Sequence, residues 1–204
     1  RAFPSGEFVE VHQGTDRPVL SVLMPIYKQS LLVKQAVQSV LAQQEVPVEI
    51  IISDDASGDD TFAEAQRAVE TWVAKRKLIH RVVMRKGTKR LIRDHLALLV
   101  DHATCDIVTQ AHGDDLSHPQ RASVLSRAFA ALPTASLLTS KCKSIQLNEP
   151  HPAAWPHLRR SPPACRRASG RNVEGRANGV RADLYRDRHH RPAARCRAAH
   201  GGAC

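Results

Sequence analysis

Two acidic pairs stand where an apolar, strand-like run has just ended. Asp54 and Asp55 follow residues 48–53, and Asp114 and Asp115 follow a run that begins at residue 106. Ligands of open α/β sheets bind at the carboxyl ends of strands. Carboxylates in that position can hold a hard divalent cation and, through it, the phosphates of a nucleotide. A nucleotide-using transferase is therefore the first hypothesis for this chain.

The elements that would position these carboxylates lie between residues 18 and 140. There, short β-branched runs alternate with longer segments of helical periodicity, which is typical of βαβ units and predicts an α/β fold with a mostly parallel sheet flanked by helices. Strands are predicted at residues 19–25, 48–53, 78–84, 106–110 and 135–139, and helices at 31–43, 59–75, 90–100 and 119–132. Ser30 is the predicted N-cap of the first helix, and Asp59 or Asp60 that of the second. The first helix is expected to bury Val33, Ala36, Val37, Val40 and Leu41.

The net charge of +10 would favour a nucleic-acid-binding protein if it were spread along the chain. It is not, because residues 1–147 hold 18 Lys and Arg against 16 acids, whereas residues 148–204 hold 12 Arg against 4 acids. The charge division predicts a basic tail at 148–204, and the start of the strand–helix alternation at residue 18 predicts an N-terminal arm at 1–17 and a folded domain at 18–147. An Arg-rich nucleic-acid-binding protein stays open as an alternative that rests on the tail alone.

The tail differs from the rest of the chain in amino-acid composition as well as in charge. It contains no Lys, Ile, Phe, Met, Thr or Gln and is rich in Arg, Ala, Pro, Gly and His. Such a segment cannot bury enough apolar surface to offset the entropy of ordering it, so we expect disorder. The same composition arises when a GC-rich coding sequence is read out of frame. A frameshift near codon 147 is the hypothesis, with a genuine basic arm as the alternative.

Three spaced segments carry a resemblance to a known family. Residues 20–27 (LSVLMPIY), 36–43 (AVQSVLAQ) and 49–61 (EIIISDDASGDDT) closely resemble, in this order, the start of the family 2 glycosyltransferases of the GT-A fold. The resemblance covers about residues 18 to 140. It implies a truncated GT-A domain that binds a nucleotide sugar and belongs to an enzyme transferring a sugar to a glycan or lipid-linked acceptor.

The resemblance implies that Pro25 and Tyr27 embrace the base of the donor and that Asp55 accepts a hydrogen bond from the imide of uracil, so that the donor is a UDP-sugar. An aromatic ring at the carboxyl end of a strand can cover a base while its hydroxyl stays in water. The alternatives are a packing role at the helix entry for Tyr27 and, for Asp54 and Asp55, a turn in which the side chains bond their own backbone.

In the second acidic motif, the resemblance implies that Asp115 binds Mn²⁺ or Mg²⁺ and that Asp114 contacts the ribose or the sugar. The residues before the pair, His112 and Gly113, depart mildly from the family pattern. A departing nucleoside diphosphate develops negative charge, and a hard cation can neutralise it. A solvated acidic turn is the alternative for this motif.

Residues 86–90 (KGTKR) and Arg93 are predicted on the same rim, where Arg93 is a candidate phosphate ligand; a solvated helix start is the alternative. The resemblance places the catalytic base, an Asp or Glu, beyond residue 147. None of the carboxylates there has a matching context, so no base can be named. A chain that binds the donor without turning it over is therefore the second hypothesis.

The five cysteines have no metal-type spacing and are expected to be free thiols. A metal site built from His189, His190, Cys196 and His200 is disfavoured, since no surrounding fold is expected there. The sequence also lacks a run of apolar residues long enough to span a membrane and has no signal-peptide core near residue 1, so a cytoplasmic location is expected.

Overall fold

The computed structural model describes residues 3–140, residue 142 and, further on, the backbone of two short strands. The strands are β1 (Phe8–His12), β2 (Ser21–Ile26), β3 (Glu49–Asp54), β4 (Arg81–Lys86), β5 (Val108–Gln110), β6 (Thr139–Ser140), β7 (Arg176–Ala177) and β8 (Val180–Arg181). The helices are α1 (Val33–Leu41), α2 (Thr61–Lys75), α3 (Ile92–His102) and α4 (Arg121–Ala131). The chain divides into two units, one up to Ser126 and one that begins at Arg127.

The first unit contains a five-stranded sheet in the order β1-β4-β3-β2-β5. Strands β4, β3, β2 and β5 are parallel, and β1 joins the edge antiparallel to β4. Every residue of β2 and β3 is buried, as central parallel strands covered on both faces require. The predicted fold class, an α/β fold with a mostly parallel sheet and flanking helices, is confirmed.

Helix α1 buries the five side chains that its periodicity predicts, Val33, Ala36, Val37, Val40 and Leu41. The predicted cap at Ser30 is wrong, because the helix begins at Val33 and the preceding Leu32 makes no side-chain cap bond. The carbonyl of Gln29 accepts the amides of Leu32 and Val33, so residues 29–32 form a turn ahead of the helix. Ser30 lies inside that turn, and its side chain contributes to lowering the pKa of Asp59.

Helix α2 begins at Thr61, directly after the two candidate caps Asp59 and Asp60, and ends at Lys75 as predicted. Asp59 Oδ1 accepts a hydrogen bond from Thr61 N at 3.0 Å. Hydrogen bonds from the side chain and then the backbone of Thr61 lower the pKa of Asp59. Asp60 directly precedes the helix but makes no side-chain cap bond. Of the two predicted caps, Asp59 is the one that binds the free amide at the start of the helix.

Several elements differ in extent from the sequence predictions, and one strand was not predicted; the last strand, for example, is Thr139–Ser140 and not 135–139. Strand β4 runs from Arg81 to Lys86 and not from 78 to 84, because pairing with β3 sets its register from Glu49↔Arg81 to Asp54↔Lys86. Strand β1 lies in the segment that composition indicated only as an N-terminal arm. Its five residues are half buried at best, and long-range pairing with β4 places them in the sheet.

The second unit contains the antiparallel strands β6, β8 and β7, in that order. The predicted disorder and frameshift at 148–204 lie outside the described residues, apart from the backbone of β7 and β8. Within the described part of the chain, no helix is long and apolar enough to cross a membrane.

Candidate functional site

A cleft of about 210 Å³ opens at the carboxyl ends of β2 and β3. Pro25, Tyr27 and Asp55 line it, so the structure brings together three of the residues predicted to bind the donor. The rest of its polar lining consists of Gln29, Lys89, Arg90, His95 and His112. The volume is below the roughly 300–1,000 Å³ of common ligand pockets.

Asp55 is the one carboxylate that lines this cleft. It directly follows β3, and its backbone N–H donates to the carbonyl of Ile26 at the end of β2 at 3.0 Å. The carboxylate is 8% exposed; Oδ1 accepts the Arg90 amide at 2.8 Å and Oδ2 accepts Lys89 Nζ at 2.7 Å. Asp55 therefore presents a charged, nearly buried acceptor whose partners come from the loop between β4 and α3.

Asp54, unlike Asp55, hydrogen-bonds within its own turn. Its Oδ2 accepts the amide of Ser57 at 3.1 Å and its Oδ1 accepts the Ser57 hydroxyl. The Ser57 hydroxyl oxygen in turn accepts the amide of Lys28 at 3.0 Å. Lys28 has φ of 50°, in the left-handed region that non-glycine residues rarely adopt. Asp54 thus forms its own turn, as the alternative expects, and through Ser57 fixes the backbone next to Tyr27.

Tyr27 leaves the end of β2 with its side chain partly in solvent, at 39% exposure for the residue. Lys89 Nζ lies 3.3 Å from the centroid of its ring, and Lys28 Nζ lies 5.5 Å from it. Pro25 lies in β2, opposite Ser53 of β3. An exposed ring beside a buried carboxylate can accept a planar ligand by stacking and orient its polar edge.

His95 is a buried residue of the site for which the sequence analysis makes no prediction. It is 1% exposed, its Nε2 is 2.8 Å from Ser53 Oγ, and its Nδ1 is 3.9 Å from Asp55 Oδ1. Burial lowers the pKa of His95, and the charge of Asp55 partly opposes that shift. The sequence contains a signal for its burial, because His95 lies four residues before Leu99 and therefore on the same, buried face of α3.

The second acidic pair lies in the loop after β5. Asp114 and Asp115 are both exposed, and neither lines the cleft, although the neighbouring His112 does. A Cβ at Gly113 would lie 2.2 Å from Gln29 Oε1 and 3.0 Å from Ile26 Cγ2. The loop therefore approaches the end of β2 closely, with the two carboxylates in solvent.

Arg93 is not among the residues that line the cleft. Its side chain is 80% exposed and its Nε is 3.2 Å from Asp94 Oδ1. The cations that reach the cleft, Lys89 and Arg90, come from the preceding loop. Gly87 lets this loop dock on β3, since its amide donates to Asp54 O at 2.9 Å and a Cβ would lie 2.6 Å from that oxygen.

Metal-ligand geometry is incomplete within the described residues, which contain no group of three or more His, Cys, Asp or Glu placed to hold an ion. Asp114 and Asp115 offer oxygen donors of the kind that Mg²⁺ and Mn²⁺ prefer. Cys105 and Cys142 are free thiols, and burial raises the pKa of Cys105.

The chain matches the family model of Glycosyl transferase family 2 over residues 21–178, a span that continues past residue 147. It is 36% identical over 104 residues to the putative glycosyltransferase EpsE of Bacillus subtilis, covering 51% of this chain and 36% of that protein. It is also 30% identical over 121 residues to an uncharacterized protein of Mycobacterium tuberculosis, covering 55% of this chain and 33% of that protein. The chain thus spans about a third of the length of these relatives.

Two solved structures are similar. The mannosyltransferase PcManGT from Pyrobaculum calidifontis, in complex with GDP-Man and Mn²⁺, is 28% identical with a TM-score of 0.49, over 65% of this chain and 37% of that one. S. aureus TarS 1-349 in complex with UDP-GlcNAc is 21% identical with a TM-score of 0.42, over 56% and 31%. Both TM-scores lie below 0.5, so the assignment rests on the family match. On that match, the chain belongs to glycosyl transferase family 2.

Proposed function

We propose that this chain supplies the donor-nucleotide site of a glycosyltransferase that moves a sugar from a UDP-sugar to a glycan or lipid-linked acceptor. The observation that carries the proposal is the convergence of Pro25, Tyr27 and Asp55 on one cleft at the carboxyl ends of β2 and β3. Tyr27 offers a ring for stacking, and Asp55 an acceptor for an imide N–H. Uracil presents such an N–H, whereas adenine presents a ring acceptor and an amino group on the corresponding edge.

The acidic pair fits a cation shared with a diphosphate better than a cation bound by protein alone. Mg²⁺ is commonly held by one or two carboxylates together with substrate phosphates and water. Asp115 would hold Mn²⁺ or Mg²⁺ and Asp114 would contact the ribose or sugar, which agrees with their exposure in the loop after β5. Such a cation, when bound, neutralises charge on the departing diphosphate. Arg93, exposed at the start of α3, would meet a phosphate only outside the described cleft.

A donor-binding chain without turnover is the second candidate, and one observation favours it. Among the residues that line the cleft, Asp55 is the only carboxylate, and both of its oxygens already accept hydrogen bonds. A base that deprotonates an acceptor hydroxyl needs to reach that hydroxyl with an open lone pair. Transfer would then depend on residues outside this cleft.

The proposed function is tested by titrating the full chain with UDP and with ADP, each in Mn²⁺ and in a chelator. We expect tighter binding of UDP in both conditions and a further gain in Mn²⁺. Equal affinity for the two nucleotides would overturn the assignment of the cleft to uracil. Release of free sugar and transfer from a UDP-sugar, followed on the same preparation, separate the enzyme from the non-catalytic binding chain.

A further inference from the structure

Lys89 fills the space between the two groups that are proposed to receive the base. Its Nζ is 3.3 Å from the centroid of the Tyr27 ring and 2.7 Å from Asp55 Oδ2. A single ammonium group therefore covers the aromatic ring and pairs with the carboxylate at the same time. A base that stacks on this face and bonds Asp55 would need the position that the ammonium holds.

The second contact between this loop and Asp55 is of a different kind. The backbone amide of Arg90 donates to Asp55 Oδ1 at 2.8 Å, so it holds the carboxylate without entering the space above Tyr27. Displacing Lys89 would leave Asp55 with this amide and one open oxygen. The carboxylate would then be oriented and ready for an N–H of the base.

The contacts of Lys89 are of a kind that is easily exchanged. Its side chain is 56% exposed, and residues 87–91 between β4 and α3 form neither helix nor strand. Lysine carries its charge on a flexible four-carbon stem and keeps three rotatable donors. Asp55, at 8% exposure, is nearly buried, so only the lysine end of the ion pair is in solvent; the amide of Arg90 holds the carboxylate when that end moves away. Lys89 can therefore leave the cleft without unfolding any element of the sheet.

We propose that Lys89 is a displaceable occupant of the base site that makes the cleft select nucleotides over nucleosides. This inference rests on the proposed function. A nucleoside must displace the ammonium from Tyr27 and Asp55 and gives it no new partner. A nucleoside diphosphate displaces it equally but offers its phosphates as a replacement for Asp55. The selection acts through the loop that precedes α3 and requires no metal.

The direct test compares uridine and UDP as ligands of the full chain and of Lys89→Met, in a chelator so that no cation contributes. Uridine is expected to bind the variant about three- to thirtyfold more tightly, because it no longer competes with an ion pair and a cation–π contact. The UDP-to-uridine affinity ratio is expected to fall by at least about tenfold, since the phosphates also lose a cation.

Lys86→Met is the matched control. It removes the same charge at the end of β4, but Lys86 Nζ lies 5.9 Å from the Phe62 ring centroid and does not line the cleft. The affinity of the Lys86→Met chain for uridine is expected to equal that of the unmodified chain. If Lys89→Met leaves uridine binding unchanged or weaker while the unmodified chain prefers UDP to ADP, the lysine proposal fails and the proposed function stands. If the unmodified chain binds neither uridine nor UDP, both fail.

A second measurement needs no variant. The hydrogen bond to Asp55 raises the pKa of Lys89, so the amine is held protonated and reacts slowly with acetic anhydride in the free chain. Uridine should speed acetylation of Lys89 by removing that partner, and UDP should slow it again by supplying another. The site is read by peptide mass spectrometry, with Lys86 as the internal reference. Acetylation that uridine leaves unchanged or slows would contradict displacement.

Discussion

Two carboxylates at opposite ends of β3 have very different surroundings. Glu49 begins the strand, is 0% exposed and binds Ser21 Oγ at 2.5 Å, Thr104 N at 2.8 Å and the Arg81 guanidinium. Asp55 follows the strand and pairs with a half-exposed lysine at the edge of a cleft. A carboxylate held by fixed partners stabilises the fold, whereas one held by an exchangeable partner can be given over to a ligand.

The largest expected effect is on the stability of the amino end of the sheet. Glu49→Ala should lower the free energy of unfolding by about 3–5 kcal/mol, because it leaves the Arg81 charge half-buried without its inner partner. Glu10 is the control, since it pairs with the same Arg81 at 2.7 Å but its side chain is 42% exposed. Glu10→Ala should cost no more than about 1 kcal/mol in urea denaturation. Similar losses in the two variants would remove the contrast between the ends of the strand.

Asp115 extends the comparison to an exposed carboxylate that is expected to affect ligand binding and not stability. Asp115→Asn should weaken UDP binding in Mn²⁺ by about 1.5–3 kcal/mol, the range for a lost contact to a charged group, while binding in a chelator stays nearly unchanged. Isothermal titration in the two conditions measures both values. Stability should not change, because the side chain is exposed. Equal affinities of variant and unmodified chain in Mn²⁺ would remove the metal assignment.

Two buried histidines give each end of the sheet a pH response. His80, near Glu49, accepts the Val48 amide at Nδ1, while His95 lies beneath Asp55. Burial lowers the pKa of both from 6.5, so the unfolded chain binds more protons as the pH falls below that value. The free energy of unfolding should then decline by up to about 1.4 kcal/mol per pH unit for each histidine, until the pKa of the folded state is reached.

Urea midpoints between about pH 7.5 and 5.5 measure this slope. His80→Gln and His95→Gln should each remove part of it, because burial lowers the pKa of both histidines. Stability that is constant or rises as the pH falls through this range would contradict the assignment of both histidines as buried and neutral.

The smallest expected effect comes from removing residues 148–204. Because Pro25, Tyr27, Asp55 and Asp115 all precede that segment, cutting the chain after Leu147 should leave UDP affinity unchanged in Mn²⁺ and in a chelator. The full chain measured in parallel is the reference. Loss of UDP binding by the shortened chain would make the segment a working part of the domain and would end the frameshift hypothesis.

The parts of the fold that local pattern determines could be predicted from the sequence. The apolar runs of β2 and β3 and the periodic face of α1 report burial directly, and strand direction places Tyr27 and Asp55 at one edge. Strand β1 could not be predicted, because its place depends on pairing with β4, far along the chain.

The same division between local and distant contacts holds for the site. Residues 86–90 and Arg93 are predicted on one rim, with Arg93 as the candidate phosphate ligand, whereas Lys89 is the cation that reaches Tyr27 and Asp55. Which of several neighbouring cations reaches a cleft depends on how the loop docks on β3, and spacing alone does not show it. His95 carried a readable signal, a polar residue on the buried face of a helix, but its partners Ser53 and Asp55 are some forty residues away.

The base contact of Asp55 is the central claim, and Asp55→Ala tests it most directly. The variant should lose about 1–3 kcal/mol of binding free energy for UDP and much less for ADP, because the lost contact exists only with the uracil imide. Asp94→Ala, which removes an exposed carboxylate outside the cleft, should bind both nucleotides as the unmodified chain does. Equal losses for UDP and ADP in a folded Asp55→Ala chain, or no loss for either, would contradict the account and leave Asp55 as a residue that only shapes its turn.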